Sequence, residues 1–344
     1  MRVRFCILFL LTACGSTRPA EPSATPAAPL VAQASAYDLH EWGLLSVLPG
    51  SIELAAGPGR PGPHLPELTV DKPVVYVHAQ QATHFSLTVA LGPGYELAER
   101  WPGVGAPISW QASVSPGPCQ TRSAYPDGCQ SSDGYCETRE LAGYEAADSS
   151  CLHVGADYAS LLFYRLRATD IAAAGQRLPV KVEPGRVHAA TGRTAWRVSF
   201  DAAGAGHAQR FSLTPEAQDF DSPPQREVAA AASWAHDELM RLGLTPAERA
   251  AFERAWWQRL FHMGATTSDG DRATDMPALP ADRRVATDDE TTLDLLTADG
   301  ITPGAPQDTL LYFLQPAEID AIARLDASPA PRQTHRAFLV LRLL

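Results

Sequence analysis

The chain has 344 residues, 28 Lys and Arg against 39 Asp and Glu, and a net charge of −11. That balance, with no basic stripe, excludes a nucleic-acid partner and direct electrostatic docking on anionic lipid. Lys72 and Lys181 are the only lysines and Asn is absent, a bias of codon supply more than a functional signal, and the length suffices for one large core or two ordinary ones.

Arg2 and Arg4 precede an apolar run from Phe5 to Leu11, the pattern of an export signal and too short to span a bilayer. The run closes in Leu11-Thr12-Ala13-Cys14 followed by Gly15, which resembles the lipobox of bacterial lipoproteins. The resemblance implies diacylglycerol on the Cys14 sulfur, cleavage before Cys14 and acylation (palmitate among the chains) of the new amino terminus. Residues 1–13 then read as signal peptide and 14–36 as acylated cysteine plus tether. The tether is Pro, Ala, Ser and Thr with almost no large apolar residue, so it cannot bury enough surface to fold. At ~3.1 Å per residue its reach approaches ~65 Å. No other segment reaches about eighteen uninterrupted apolar residues, so the expected location is the cell envelope, at the outer membrane, with lipid as the sole anchor.

From 37 to 215 the apolar period is two. Phe85, Leu87, Val89 and Leu91 alternate with His84, Ser86, Thr88 and Ala90, and Trp196, Val198 and Phe200 repeat the pattern, as strands with one buried face do. Further strands are expected over 38–48, 73–78, 108–114, 159–167, 178–182 and 209–213, punctuated by turns such as Gly92-Pro93-Gly94. Within this β-rich segment, 116–151 has no period and carries Cys119, Cys129, Cys136 and Cys151. Their intervals lack the close C-x-x-C pairs of a zinc site. In an exported chain they read as two structural disulfides, with three connectivities open.

The period changes after 215. Ser222-Pro223-Pro224-Gln225 and Thr245-Pro246-Ala247-Glu248 read as capping boxes. Helices are expected over 226–242, ended by Gly243, and over 247–262, where Phe252, Trp256, Leu260, Trp257 and Phe261 form an apolar stripe. A very short turn makes them an antiparallel helical hairpin. The segment 264–306 is acidic and aperiodic. Two buried strands, 310–314 and 337–341, flank a short helix over 317–325 and return the carboxyl end to a sheet. The fold class is mainly β with α (α+β): antiparallel β-sandwich-like sheets with the helical hairpin packed on them. The folded part divides at 215 into a β-rich segment, 37–215, and a segment of helices and final strands, 216–344.

Five residues qualify as functional candidates. His40 and Glu41 are an adjacent ligand and base, but successive strand residues point to opposite faces, so only a bulge at Gly43 would unite them. A structural role is favoured, with Trp42 in the core and His40 or Glu41 bonded to backbone. His78 and His84 flank a turn at Gln80-Gln81 and would face each other if their strands formed a hairpin, although no third ligand is evident and solvent-facing histidines are the commoner outcome. Asp269, Asp271 and Asp275 have calcium-like spacing without the closing glutamate of an EF-hand. Gly57-Pro58-Gly59-Arg60-Pro61-Gly62 matches a dinucleotide fingerprint in letters alone. No catalytic residue, metal or cofactor is assigned.

Tyr37-Asp38-Leu39-His40-Glu41-Trp42-Gly43 followed by Lys72-Pro73-Val74-Val75-Tyr76, with Trp256-Trp257 and a late apolar strand ending at Pro316, resembles uncharacterised exported H-E-W-G proteins of myxobacteria and planctomycetes. This chain departs from their pattern in its acidic insertion and at Leu44-Leu45. The resemblance implies export and carries over no activity. The expected function is a noncatalytic, lipid-anchored envelope protein whose β-rich body binds an envelope protein or polysaccharide or serves a structural role. The alternative is an exported, metal-dependent hydrolase using His40, Glu41, His78 or His84.

Overall fold

The computed structural model describes residues 36–47, 68–126, 137–201, 204–219, 224–263 and 307–344. The signal and lipobox, the tether, Gly57 to Gly62, Cys129, Cys136 and the acidic segment 264–306 lie outside them. The first strands are β1 (Tyr37–Val47), β2 (Leu68–Ala79), β3 (Thr83–Leu91), β4 (Tyr95–Trp101) and β5 (Ser109–Ser115). A 3-10 helix (Glu137–Tyr144) precedes β6 (Cys151–Val154), β7 (Asp157–Ala159), β8 (Leu162–Ala168), α1 (Ile171–Arg177), β9 (Val180–Glu183) and β10 (Arg186–Ala189). Next come β11 (Arg193–Phe200), β12 (Gly206–Leu213), β13 (Gln218–Asp219) and β14 (Arg226–Glu227). The helices α2 (Val228–Arg241) and α3 (Pro246–Phe261) follow, then β15 (Gln307–Phe313), α4 (Pro316–Ile322), β16 (Ala323–Ser328) and β17 (Thr334–Leu343).

These strands make a nine-stranded sheet in the order β14-β12-β11-β15-β17-β1-β2-β8-β4, a five-stranded sheet β16-β3-β5-β6-β7 and a three-stranded sheet β13-β10-β9. The expected α+β, sandwich-like architecture is what forms. Pairing is antiparallel except where β17 lies parallel to β1, Glu41 opposite Arg336. The carboxyl-terminal strand therefore sits beside the first one; β1 is buried along almost its whole length and β17 from Arg336 to Leu341. Two-sided burial explains why β1 lacks the polar alternation of an edge strand. Its two faces meet different partners. The Tyr37 ring lies 5.0 Å from Phe85 in the five-stranded sheet. The Trp42 ring lies 5.3 Å from Phe252 of α3. The nine-stranded sheet is thus the middle layer, with the second sheet on one side and the helical hairpin on the other.

The hairpin is built from local signals. Thr245 caps α3 by accepting from the Glu248 amide, and Glu248 accepts in return from the Thr245 amide, with Pro246 at the first helical position. The expected stripe of Phe252, Trp256, Trp257, Leu260 and Phe261 is buried. Trp257 contacts both Phe252 and Phe261 edge to face, an arrangement that adds about 0.5–1.5 kcal/mol per pair beyond area burial. Ser222 and Pro223 of the other expected capping box lie outside the described residues. Helix α2 starts at Val228 with Glu227 as an N-cap that makes no side-chain bond, because Arg226 and Glu227 are taken up by pairing with β12. The short helix also ends earlier than expected: α4 stops at Ile322, and the chain passes directly into β16 to pair with β3.

One of the disulfides is in place, joining Cys119 to Cys151 across a sequence separation of 32 residues. It ties the aperiodic segment to the start of β6. Among the described residues no helix is long and apolar enough to cross a membrane.

Candidate functional site

The four candidates from the amino-terminal strands separate into three places. His40 and Glu41 obey the strand rule and point to opposite faces of the middle sheet, because the irregularity in β1–β2 pairing falls after Trp42, too late to reunite them. Strands β2 and β3 are not a hairpin: they belong to different sheets. His84 is accordingly exposed, shares a hydrogen bond of 2.9 Å with the Ser113 hydroxyl, and opens on a groove lined by Ser86, Gln111 and His153. It does not meet His78.

Glu41 is fully buried and accepts from the Tyr164 hydroxyl and from Arg336 Nε, each at 2.5 Å. Arg336 spends its other donors on Asp320 at 2.6 Å and the Ala323 carbonyl at 2.7 Å. Burial pushes the Glu41 carboxyl up, opposed by the charge and hydrogen bonds of Arg336 and Tyr164. The bonds of Glu41 run to side chains and not to backbone, where the sequence pointed. Trp42 lies in the core as expected and donates to the Tyr76 hydroxyl at 3.1 Å.

The remaining two histidines converge. On β1 and β2, His40 stands opposite Tyr76 and Asp38 opposite His78, which puts His40 and His78 on one face, diagonal to each other. Their ring centroids are 4.4 Å apart. The turn between α2 and α3 lowers the first turn of α3 onto this face. Glu248 Oε2 accepts from His40 Nδ1 at 2.9 Å and Oε1 accepts from His78 Nε2 at 2.7 Å. Oε2 also accepts from the Thr245 amide at 2.8 Å. Glu248 is therefore at once the helix cap and the centre of a His–Glu–His cluster.

Electrostatics follow from that geometry. Burial alone would raise the Glu248 carboxyl, but the hydrogen bonds from His40 and His78, the charge of His40 and the Thr245 amide overrule it and pull it down to about 2. Burial would lower His78; the Glu248 hydrogen bond and charge, with Asp148 beside it, outweigh this and raise it. An ionised carboxylate only accepts, so His40 carries its proton on Nδ1 and His78 on Nε2.

A third histidine borders the cluster. His335, opposite His40 on β17, sets its ring edge-on 4.8 Å from His40. Its Nδ1 meets the Leu242 carbonyl at 3.3 Å and its Nε2 the Gln333 side chain at 3.0 Å. The two imidazoles and the carboxylate of His40, His78 and Glu248 each offer one ligand atom, all within 4.8 Å of one another. Among the described residues this is the group able to hold a metal ion.

Sequence reasoning placed two members of this cluster and missed Glu248. The signal was present, since a capping box uses one carboxylate oxygen and leaves the other free to accept. No protein-family model, curated protein or solved structure matches the chain.

Proposed function

We propose that the protein is an exported envelope lipoprotein, held to the membrane through Cys14, whose β-rich body has a noncatalytic binding or structural role. The observation that carries the reading is the Cys119–Cys151 bridge, which belongs to an oxidising compartment outside the cytosol. It joins the lipobox resemblance at Leu11 to Cys14 and the Pro/Ala/Ser composition of the following tether. Lipid supplies the attachment, with two or more chains needed for stable anchoring, and the acidic body does not bind the headgroups itself. The partner class that fits this setting is an envelope protein or polysaccharide. The four residues of the alternative hydrolase reading do not form one site, since Glu41 and His84 stand apart from His40 and His78.

Metabolic labelling with radioactive palmitate tests the attachment. Wild-type protein is expected to carry label and to sediment with membranes, while Cys14→Ser carries none and is released. Equal labelling of the two would refute the lipid site.

A further inference from the structure

We propose that His40, His78 and Glu248 form a binding site for one divalent first-row metal ion, zinc by its donor set. Two imidazole nitrogens and a carboxylate are a ligand combination that zinc accepts, at metal–ligand distances of about 2.0–2.2 Å. Neighbouring donors around a tetrahedral ion lie about 3.3–3.6 Å apart, by the geometry of those bond lengths. The nitrogen–oxygen separations here, 2.9 Å from His40 Nδ1 to Oε2 and 2.7 Å from His78 Nε2 to Oε1, are hydrogen bonds to different carboxylate oxygens that already hold both imidazoles against the one carboxylate. To share one ion, the widest donor pair must close by roughly 1–1.5 Å to reach the spacing those bond lengths set. The His78 ring can supply that movement, because its side chain is 19% exposed whereas Glu248 has no exposure.

The surroundings favour donors held in place before the ion arrives. Thr245 fixes the carboxylate through its amide and the helix cap. His335 and the buried body of α3 close the site on the side of His40. Three protein ligands leave a coordination position for water or an external donor, and the exposed edge of His78 is where it would open.

The full chain, purified in detergent and stripped with chelator, tests this by titration with zinc and with cobalt(II). One equivalent is expected to bind, with visible cobalt absorption bands that zinc abolishes. His78→Ala and His40→Ala are each expected to weaken binding by more than about 100-fold, beyond the 10–100-fold of an outer-shell loss. His84→Ala should leave it unchanged. X-ray absorption of the zinc-loaded wild type supplies a readout independent of the variants' folding, and two imidazole ligands are expected. No saturable uptake by the folded wild type, or a bound ion lacking histidine ligation, would overturn the site and leave the cluster as a hydrogen-bonded clasp between α3 and the sheet. So would undiminished uptake by His78→Ala.

Discussion

His40 and Glu41 are adjacent in the chain and lie on opposite faces of the same sheet, so they have separate fates. Strand alternation made that division legible. The partners were not legible: Arg336 is 295 residues from Glu41, and Glu248 is 208 from His40, separations that no local pattern encodes. Glu41→Ala removes the carboxylate from a buried guanidinium, a loss expected to destabilise by about 3–5 kcal/mol. Urea unfolding measures that loss, and cobalt uptake in the same variant should be unaffected while it remains folded. A second residue reports on alkaline stability. Burial raises the Tyr37 hydroxyl to about 12, and that hydroxyl donates to the Pro329 carbonyl. The folded state therefore holds this proton more tightly than the unfolded one. Its contribution is complete below pH 10 and disappears as pH rises from about 10 to about 12. Unfolding midpoints at pH 8 and pH 11.5 should fall less in Tyr37→Phe than in wild type; an identical fall would remove Tyr37 from the alkaline limb.

At the level of elements, α3 was the most legible part of the fold. Its cap, its proline and its aromatic stripe all act as the sequence indicates, because each is a local or single-face signal. Helix α2 starts at Val228, two residues later than expected, where a tertiary interaction competes: Arg226 and Glu227 pair with β12. The β2–β3 connection was not decided by the sequence, since a short turn between two strands can lead into a second sheet as readily as into a hairpin. Gly243 shows both kinds of information at one position. Its role as a helix terminator is local and readable, with φ +89°. Its second role is tertiary, because a Cβ there would lie 2.1 Å from His335 Nδ1. Gly243→Ala is expected to lose at least about 1–2 kcal/mol from the left-handed backbone alone, and further from displacement of His335. A thermal melt within error of wild type would show that the turn relaxes freely.

Across the whole molecule, the first and last described strands complete one sheet, and the core extends from Tyr37 to Leu341. The nine-stranded sheet draws strands from both sides of residue 215. Hydrophobic run length foretold that the carboxyl end returns to a sheet, while its parallel register beside β1 depended on contacts across the entire chain. The Cys119–Cys151 bridge restrains the intervening loop. Its removal by paired Cys119→Ser and Cys151→Ser substitution is expected to cost about 2–4 kcal/mol by chain-entropy reasoning. Equal urea midpoints for the variant and the oxidised wild type would exclude a stabilising role. The proposed export and attachment at Cys14 would tie this body to its place in the cell, and mass spectrometry of the amino-terminal peptide from membrane-purified protein tests them most directly. The expected peptide begins at Cys14 and carries diacylglycerol and an amide-linked acyl chain; a membrane-derived peptide retaining Met1 through Ala13, or beginning at Cys14 without lipid, would contradict the anchor.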